Sequence, residues 1–163
     1  DKLLNLYREN NIDSSSFHGV NGYGCGDLGR EKFDSIVASL MGAEAALVRI
    51  QLFSGTHAIS TALFGALRPG QTILGVSGPP YDTLEEVLGL RNSSSTHTNK
   101  GSLADWGIKY KQTELLTGAD ACAASSRNVA FDLEAIDAQL AADPTIKLLH
   151  VQRSTTFDAI LSS

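Results

Sequence analysis

Apolar residues recur along the chain in two rhythms that alternate. Phe33, Ile36, Val37, Leu40 and Met41 fall three and four apart, the spacing that lines one face of a helix, and Gly42 stops it. Ala58, Ile59, Ala62, Leu63, Ala66 and Leu67 repeat that spacing ahead of Pro69-Gly70, with Ser54 where the helix should start. Leu133, Ile136 and Leu140 give a third helix, capped by Asp132 and closed by Asp143-Pro144. Short apolar runs at 45–50, 72–76 and 146–151 read as buried strands. Residues 107–111 alternate, with Ile108 and Tyr110 on one face, as a strand does.

The remaining stretches are shorter. Leu3, Leu4, Leu6 and Tyr7 predict a short helix over 1–9 that packs on another element, and 10–16 reads as a polar loop. Pro79-Pro80 marks a turn. Thr83 and Glu86 make a capping-box pattern, followed by Val87, Leu88 and a stop at Gly89. Residues 92–100 are polar and read as a mobile surface loop. No internal repeat is present. Strands alternating with helices predict an α/β fold with a mostly parallel sheet. Ligands of such sheets bind at the carboxyl ends of strands, so strand-to-helix junctions are where chemistry is sought.

Composition narrows the picture. The 163 residues suit one domain, 42% hydrophobic and 19% charged. A net charge of −5 argues against nucleic acid or an anionic membrane as partner. No apolar run approaches the ~20 residues of a membrane span. Cys25 and Cys122 fit no metal spacing, and neither a zinc module nor a disulfide scaffold is expected. With no signal-peptide pattern at its start, the chain is expected in the cytoplasm, an organelle not excluded. It opens on Asp1 rather than Met, which suggests a fragment or a processed product.

Four motifs invite chemistry. Gly24-Cys25-Gly26-Asp27-Leu28-Gly29 spells G-x-G-x-x-G, but no strand precedes it, and a glycine-rich turn without a ligand fits better. Gly75-Val76-Ser77-Gly78-Pro79 lacks the final glycine of a nucleophile elbow. The histidines are scattered and show no metal-ligand spacing. Ser54-Gly55-Thr56 is more informative. It follows a predicted strand and opens a helix, where free backbone N–H groups and two hydroxyls can cradle a phosphate. A plain helix cap explains the same residues. Tyr81 stands at the next junction and reads as a surface-edge aromatic.

Several stretches taken together resemble one family. Phe17-His18-Gly19, Gly22-Tyr23-Gly24 and Asp27-Leu28-Gly29-Arg30 come first. Gly42-Ala43-Glu44-Ala45-Ala46-Leu47-Val48-Arg49 then leads into Ser54-Gly55-Thr56-His57-Ala58-Ile59. Leu67-Arg68-Pro69-Gly70, Pro80-Tyr81-Asp82-Thr83-Leu84-Glu85-Glu86-Val87, Gly101-Ser102-Leu103 and Val151-Gln152-Arg153-Ser154 continue in order. The pattern is similar to the methionine gamma-lyase-like or aluminium-resistance family of pyridoxal 5'-phosphate (PLP) enzymes, with the aspartate-aminotransferase fold.

The resemblance implies a truncated three-layer large domain. Residues 1–30 would form an N-terminal arm, and 31–163 the first portion of the PLP-binding domain. It implies a carbon–sulfur lyase of cysteine and methionine metabolism, acting on a small sulfur-containing amino acid as a homodimer or homotetramer. Ser54, Gly55 and Thr56 match the family's phosphate cup, and Tyr81 the tyrosine that stacks on the cofactor ring. Tyr23 and Arg30 lie in the segment that related lyases send into a neighbouring subunit's phosphate site. The family's Schiff-base lysine, and the aspartate that meets the pyridine nitrogen, lie downstream of Gln152-Arg153-Ser154. Ser154-Thr155-Thr156-Phe157 leaves the family pattern, and none of the chain's lysines matches the Schiff-base motif. The chain is therefore expected to be an N-terminal part, inactive alone and without a catalytic residue of its own. A non-catalytic anion- or nucleotide-binding module is the alternative, and a subunit that only donates Tyr23 and Arg30 to a full-length copy is a third.

Overall fold

Three helices begin at a side chain that accepts from their own first turn, as predicted for two of them. Asp27 accepts from Arg30 N–H at 3.2 Å, Ser54 from His57 N–H at 3.1 Å and Asp132 from Ala135 N–H at 2.9 Å. The structure is a computed structural model that describes residues 2–20, 27–91, 100–120 and 129–152. It divides into two compact units, Asp1–Phe53 and Ser54–Ser163. The expected arm boundary at 30/31 falls inside a helix of the first unit.

In the first unit, helix α1 spans Lys2–Glu9 and α2 spans Leu28–Met41. Gly42 ends α2 at φ 69°, a left-handed cap that glycine adopts without strain. Of the predicted α2 face, Ile36 is buried, whereas Phe33, Leu40 and Met41 are exposed. The loop predicted over 10–16 is more ordered than its polarity suggested. Ser14–Phe17 forms a 3₁₀ turn because the Asp13 carboxylate accepts from Ser15 N–H at 2.9 Å and Ser16 N–H at 3.3 Å. Lys32 Nζ pins that segment, donating to Asn11 O at 2.6 Å.

The strand predicted over 45–50 is absent. An apolar run becomes a strand only when a neighbour completes its ladder, and no described strand pairs with it. Instead Val48 N–H donates to Asp34 Oδ1 at 2.8 Å, and Arg49 Nη1 bonds both Asp34 oxygens at 2.7 and 2.8 Å. Its hydrogen bonds from Arg49 hold the Asp34 carboxyl below the usual carboxylate range. Leu47 and Ile50 are left 65% and 88% exposed.

The second unit is built on a parallel three-stranded sheet. Strand β1 (Thr72–Gly75) lies between β2 (Lys109–Gln112) and Ile146–His150, the last strand in the chain. Alternate residues of β1 feed two cores. Ile73 joins Leu63 and Leu67 at the end of α3 (Gly55–Ala66), Leu84 and Leu88 of α4 (Asp82–Leu88), Leu103 and Ile108. Leu74 and Val76 face the other way, onto Ile146 and onto Ile136 of α5 (Leu133–Ala142). Helix, sheet and helix layers follow, the α/β architecture read from the sequence.

Two details depart from the pattern. A short antiparallel ladder, β3 (Leu115–Thr117) with β4 (Val129–Phe131), was not predicted, because three residues per strand are too few to show a period. The strand Ile146–His150 is thus β5. Helix α4 lacks the capping box: its N-cap is Tyr81 and has no side-chain cap bond. The cysteines, Tyr23, the first glycines of G-x-G-x-x-G and almost all of the loop at 92–100 lie outside the described residues.

Candidate functional site

The site grows from the first turn of α3. Ser54 holds extended backbone angles, φ −151° and ψ 164°, so its Oγ reaches forward to accept from His57 N–H. The N–H groups of Gly55 and Thr56 have no intrahelical acceptor, as in the first turn of any helix. A Cβ built on Gly55 would meet nothing within 4 Å, so the backbone there faces open space. Thr56 Oγ1 lies 2.8 Å from Thr83 Oγ1, in the first turn of α4. The hydroxyl that was expected to cap α4 is spent on this bond.

Tyr81 sits one residue before α4, 37% exposed. Its backbone N–H donates to Gln152 Oε1 at 3.0 Å, and Gln152 N–H donates to the buried Ser77 Oγ at 2.9 Å. Val76 N–H donates to His150 O at 3.0 Å, and Gly78 N–H to Thr113 O at 3.3 Å. The segment from β1 to Tyr81 is thereby stitched to the carboxyl ends of both flanking strands. Burial lowers the His150 pKa, because desolvation disfavours the charged imidazole.

The structure brings Ser54, Gly55 and Thr56 together with the Tyr81 turn, through Thr83. Arg30 belongs to the first unit, where its Nε lies 3.0 Å from Asp27 Oδ2 at the start of its own helix. The sequence offered Thr83 only as a helix cap and Ser77 only within an incomplete nucleophile elbow, and showed neither residue's part in this turn. Gln152 was visible only as part of a motif, and nothing in spacing shows that a side-chain amide will close a turn 71 residues away. Among the described residues, no three His, Cys, Asp or Glu side chains gather to hold a metal ion. Nor is any described helix long and apolar enough to cross a membrane.

The family model for methionine gamma-lyase matches residues 1–162. The chain belongs to the methionine gamma-lyase family. Among solved structures, it is 42% identical to a carbon-sulfur lyase involved in aluminum resistance from Clostridium novyi NT, with a TM-score of 0.79 over 94% of this chain and 34% of that one. It is 38% identical to a candidate cystathionine beta-lyase involved in aluminum resistance from Clostridium acetobutylicum, TM-score 0.79, covering 96% of this chain and 33% of that one. A curated relative, the uncharacterized protein YnbB of Bacillus subtilis (strain 168), is 41% identical over 94% of this chain and 32% of its own length. This methionine gamma-lyase family chain thus spans about a third of the length of its relatives and corresponds to their N-terminal part.

Proposed function

We propose that this chain is the N-terminal part of a PLP-dependent carbon–sulfur lyase of cysteine and methionine metabolism, and that Ser54-Gly55-Thr56 holds the PLP phosphate. The observation that carries this reading is the first turn of α3. It combines unpaired backbone N–H groups, an open Gly55 and a Thr56 hydroxyl fixed against Thr83. That donor set suits a dianionic phosphate: the helix N-terminus is electropositive, and hydroxyl and amide donors share one turn. When bound, PLP supplies an electron sink for a substrate carbanion. The protein residues bind and orient. Ser54 and Thr56 supply hydroxyls, Gly55 admits the anion to the backbone, and the Tyr81 ring offers an apolar face for stacking.

Within this reading, residues 1–30 are an arm and 31–163 the opening portion of the large domain. Tyr23 and Arg30 serve a neighbouring subunit's phosphate site in a cytoplasmic homodimer or homotetramer. The substrate is a small sulfur-containing amino acid. The lysine for covalent PLP attachment is not among this chain's residues, so the chain alone has no lyase activity. Titration with PLP against NAD tests the assignment. PLP is expected to bind at least tenfold more tightly, Tyr81→Phe to keep most of that affinity and Tyr81→Ala to lose it. Preference for NAD, or a Tyr81→Ala variant that binds as the parent does, contradicts it.

A further inference from the structure

Gly75 ends β1 in the centre of the sheet, where glycine is disfavoured. It is not among the glycines at positive φ, so backbone conformation does not require it. Space does. A Cβ at residue 75 would overlap the Tyr110 hydroxyl and stand 2.9 Å from Tyr110 Cζ and 3.3 Å from Cε2. The Tyr110 ring therefore lies across β1 in the place where any other residue would carry its side chain. Its hydroxyl is buried without a hydrogen-bond partner, a further cost at the same spot. Two local penalties at the carboxyl end of a parallel sheet are the kind of rule-breaking that function retains.

Residues 76–81 show what the contact controls. They leave β1 directly after Gly75 and are fastened to Thr113 beyond β2 and to His150 and Gln152 at the end of β5. Thr113 N–H also donates to Gly75 O at 2.9 Å. A Cβ at residue 75 has to displace either the Tyr110 ring or the end of β1, from which the Tyr81–Thr83 turn follows. We propose that Gly75 and Tyr110 form a positioning pair that sets the Tyr81–Thr83 turn against Thr56. This pair acts through the turn and does not touch the ligand. The proposal rests on the phosphate-site reading above.

A double-substitution cycle in the 163-residue chain tests it, with PLP as the probe. Gly75→Ala is expected to weaken PLP binding at least tenfold and to shift the Tyr81 and Thr83 amide resonances in the ligand-free protein. Adding Tyr110→Phe withdraws the overlapping oxygen, so the double variant recovers threefold or more of the loss relative to Tyr110→Phe alone, and its amide shifts move back. Gly75→Ala that binds as the parent does, or a double variant no better than Gly75→Ala, overturns the proposal. If Gly75→Ala does not fold, Tyr110→Leu takes its place. Removing the ring must then shift the same amides and weaken binding fivefold, and unchanged amides overturn it. A parent chain that binds no PLP defeats the phosphate-site reading, while the ligand-free amide shifts still decide the positioning pair.

Discussion

Thr56 Oγ1 and Thr83 Oγ1 stand 2.8 Å apart and join the first turns of α3 and α4. The bond fixes the Thr56 rotamer, so its remaining hydrogen-bonding capacity is directed before a ligand arrives. Hydrogen bonds to charged groups contribute about 1.5–3 kcal/mol. Ser54→Ala and Thr56→Ala are each expected to lower affinity for PLP by roughly tenfold or more. Thr83→Val, which keeps the shape and removes the partner, is expected to give a smaller loss in the same direction. Calorimetric titration checks the series, and unchanged affinity in Ser54→Ala and Thr56→Ala with the fold intact would reduce the segment to a helix cap.

PLP and borohydride are expected to label no single lysine stoichiometrically. Lys109, Lys111 and Lys147 lie on strands of the sheet, and Lys32 Nζ is engaged by Asn11 O and Ser16 Oγ. Peptide mapping should show weak, scattered modification of exposed amines. One lysine labelled to completion would contradict the proposal that this chain holds no attachment site.

Acid should loosen the β2–α5 side of the sheet. Lys111 Nζ lies 2.6 Å from Asp143 Oδ2, and Thr145 bonds Oδ1 through both its hydroxyl and its N–H. These bonds, Lys111's first, hold the Asp143 carboxyl well below the usual carboxylate range. Because the folded value is depressed, the stabilisation is present above the unfolded pKa of about 3.9 and is lost as pH falls below it toward the folded value. Denaturant midpoints measured against pH should therefore drop more steeply below about pH 4 in the parent than in Asp143→Asn. Equal acid slopes would show that the pair contributes nothing.

The chain alone should be marginally stable and prone to association. Among the described residues, nothing pairs with the outer edges of β2 and β5, and unpaired edges invite other strands. Leu149 and Val151 on that side are 47% and 52% exposed, and Phe17, Met41, Ile50 and Phe53 of the first unit are 75% exposed or more. Leaving ~400 Å² of apolar surface in water costs on the order of 10 kcal/mol, comparable to a whole domain's stability. Sedimentation is expected to show self-association at micromolar concentration, and thermal melts to be broad. A sharp two-state melt from a monodisperse monomer would contradict this.

Legibility in the sequence followed the physics of each element. Helices α2, α3 and α5 were readable because their apolar spacing and end signals are local: Ser54, Asp132 and the left-handed Gly42 act within one turn, whereas the Asp27 cap of α2 went unread. Strand β1 was readable because both its faces are buried, and β2 and β5 because Tyr110, and Ile146 with Leu148, turn toward the cores. The run at 45–50 misled because its apolar residues carry no information about a partner strand, and Asp34 claims the Val48 N–H instead. Ladder β3–β4 was too short to show a rhythm. Thr83 looked like a cap because T-x-x-E is a local pattern, whereas its hydroxyl answers to Thr56, 27 residues earlier. Ser54-Gly55-Thr56 could be located as a junction but not told from a plain cap. The tie from Thr56 to Thr83, on which the proposed phosphate cup rests, is tertiary.

The most direct measurement follows the amide resonances of Gly55 and Thr56 during titration with PLP, with inorganic phosphate and with pyridoxal, which lacks the phosphate. The phosphate cup predicts large, saturable shifts at both amides with PLP, the same amides responding more weakly to phosphate, and little response there to pyridoxal. Shifts that are absent at Gly55 and Thr56, or as large with pyridoxal as with PLP, would contradict it.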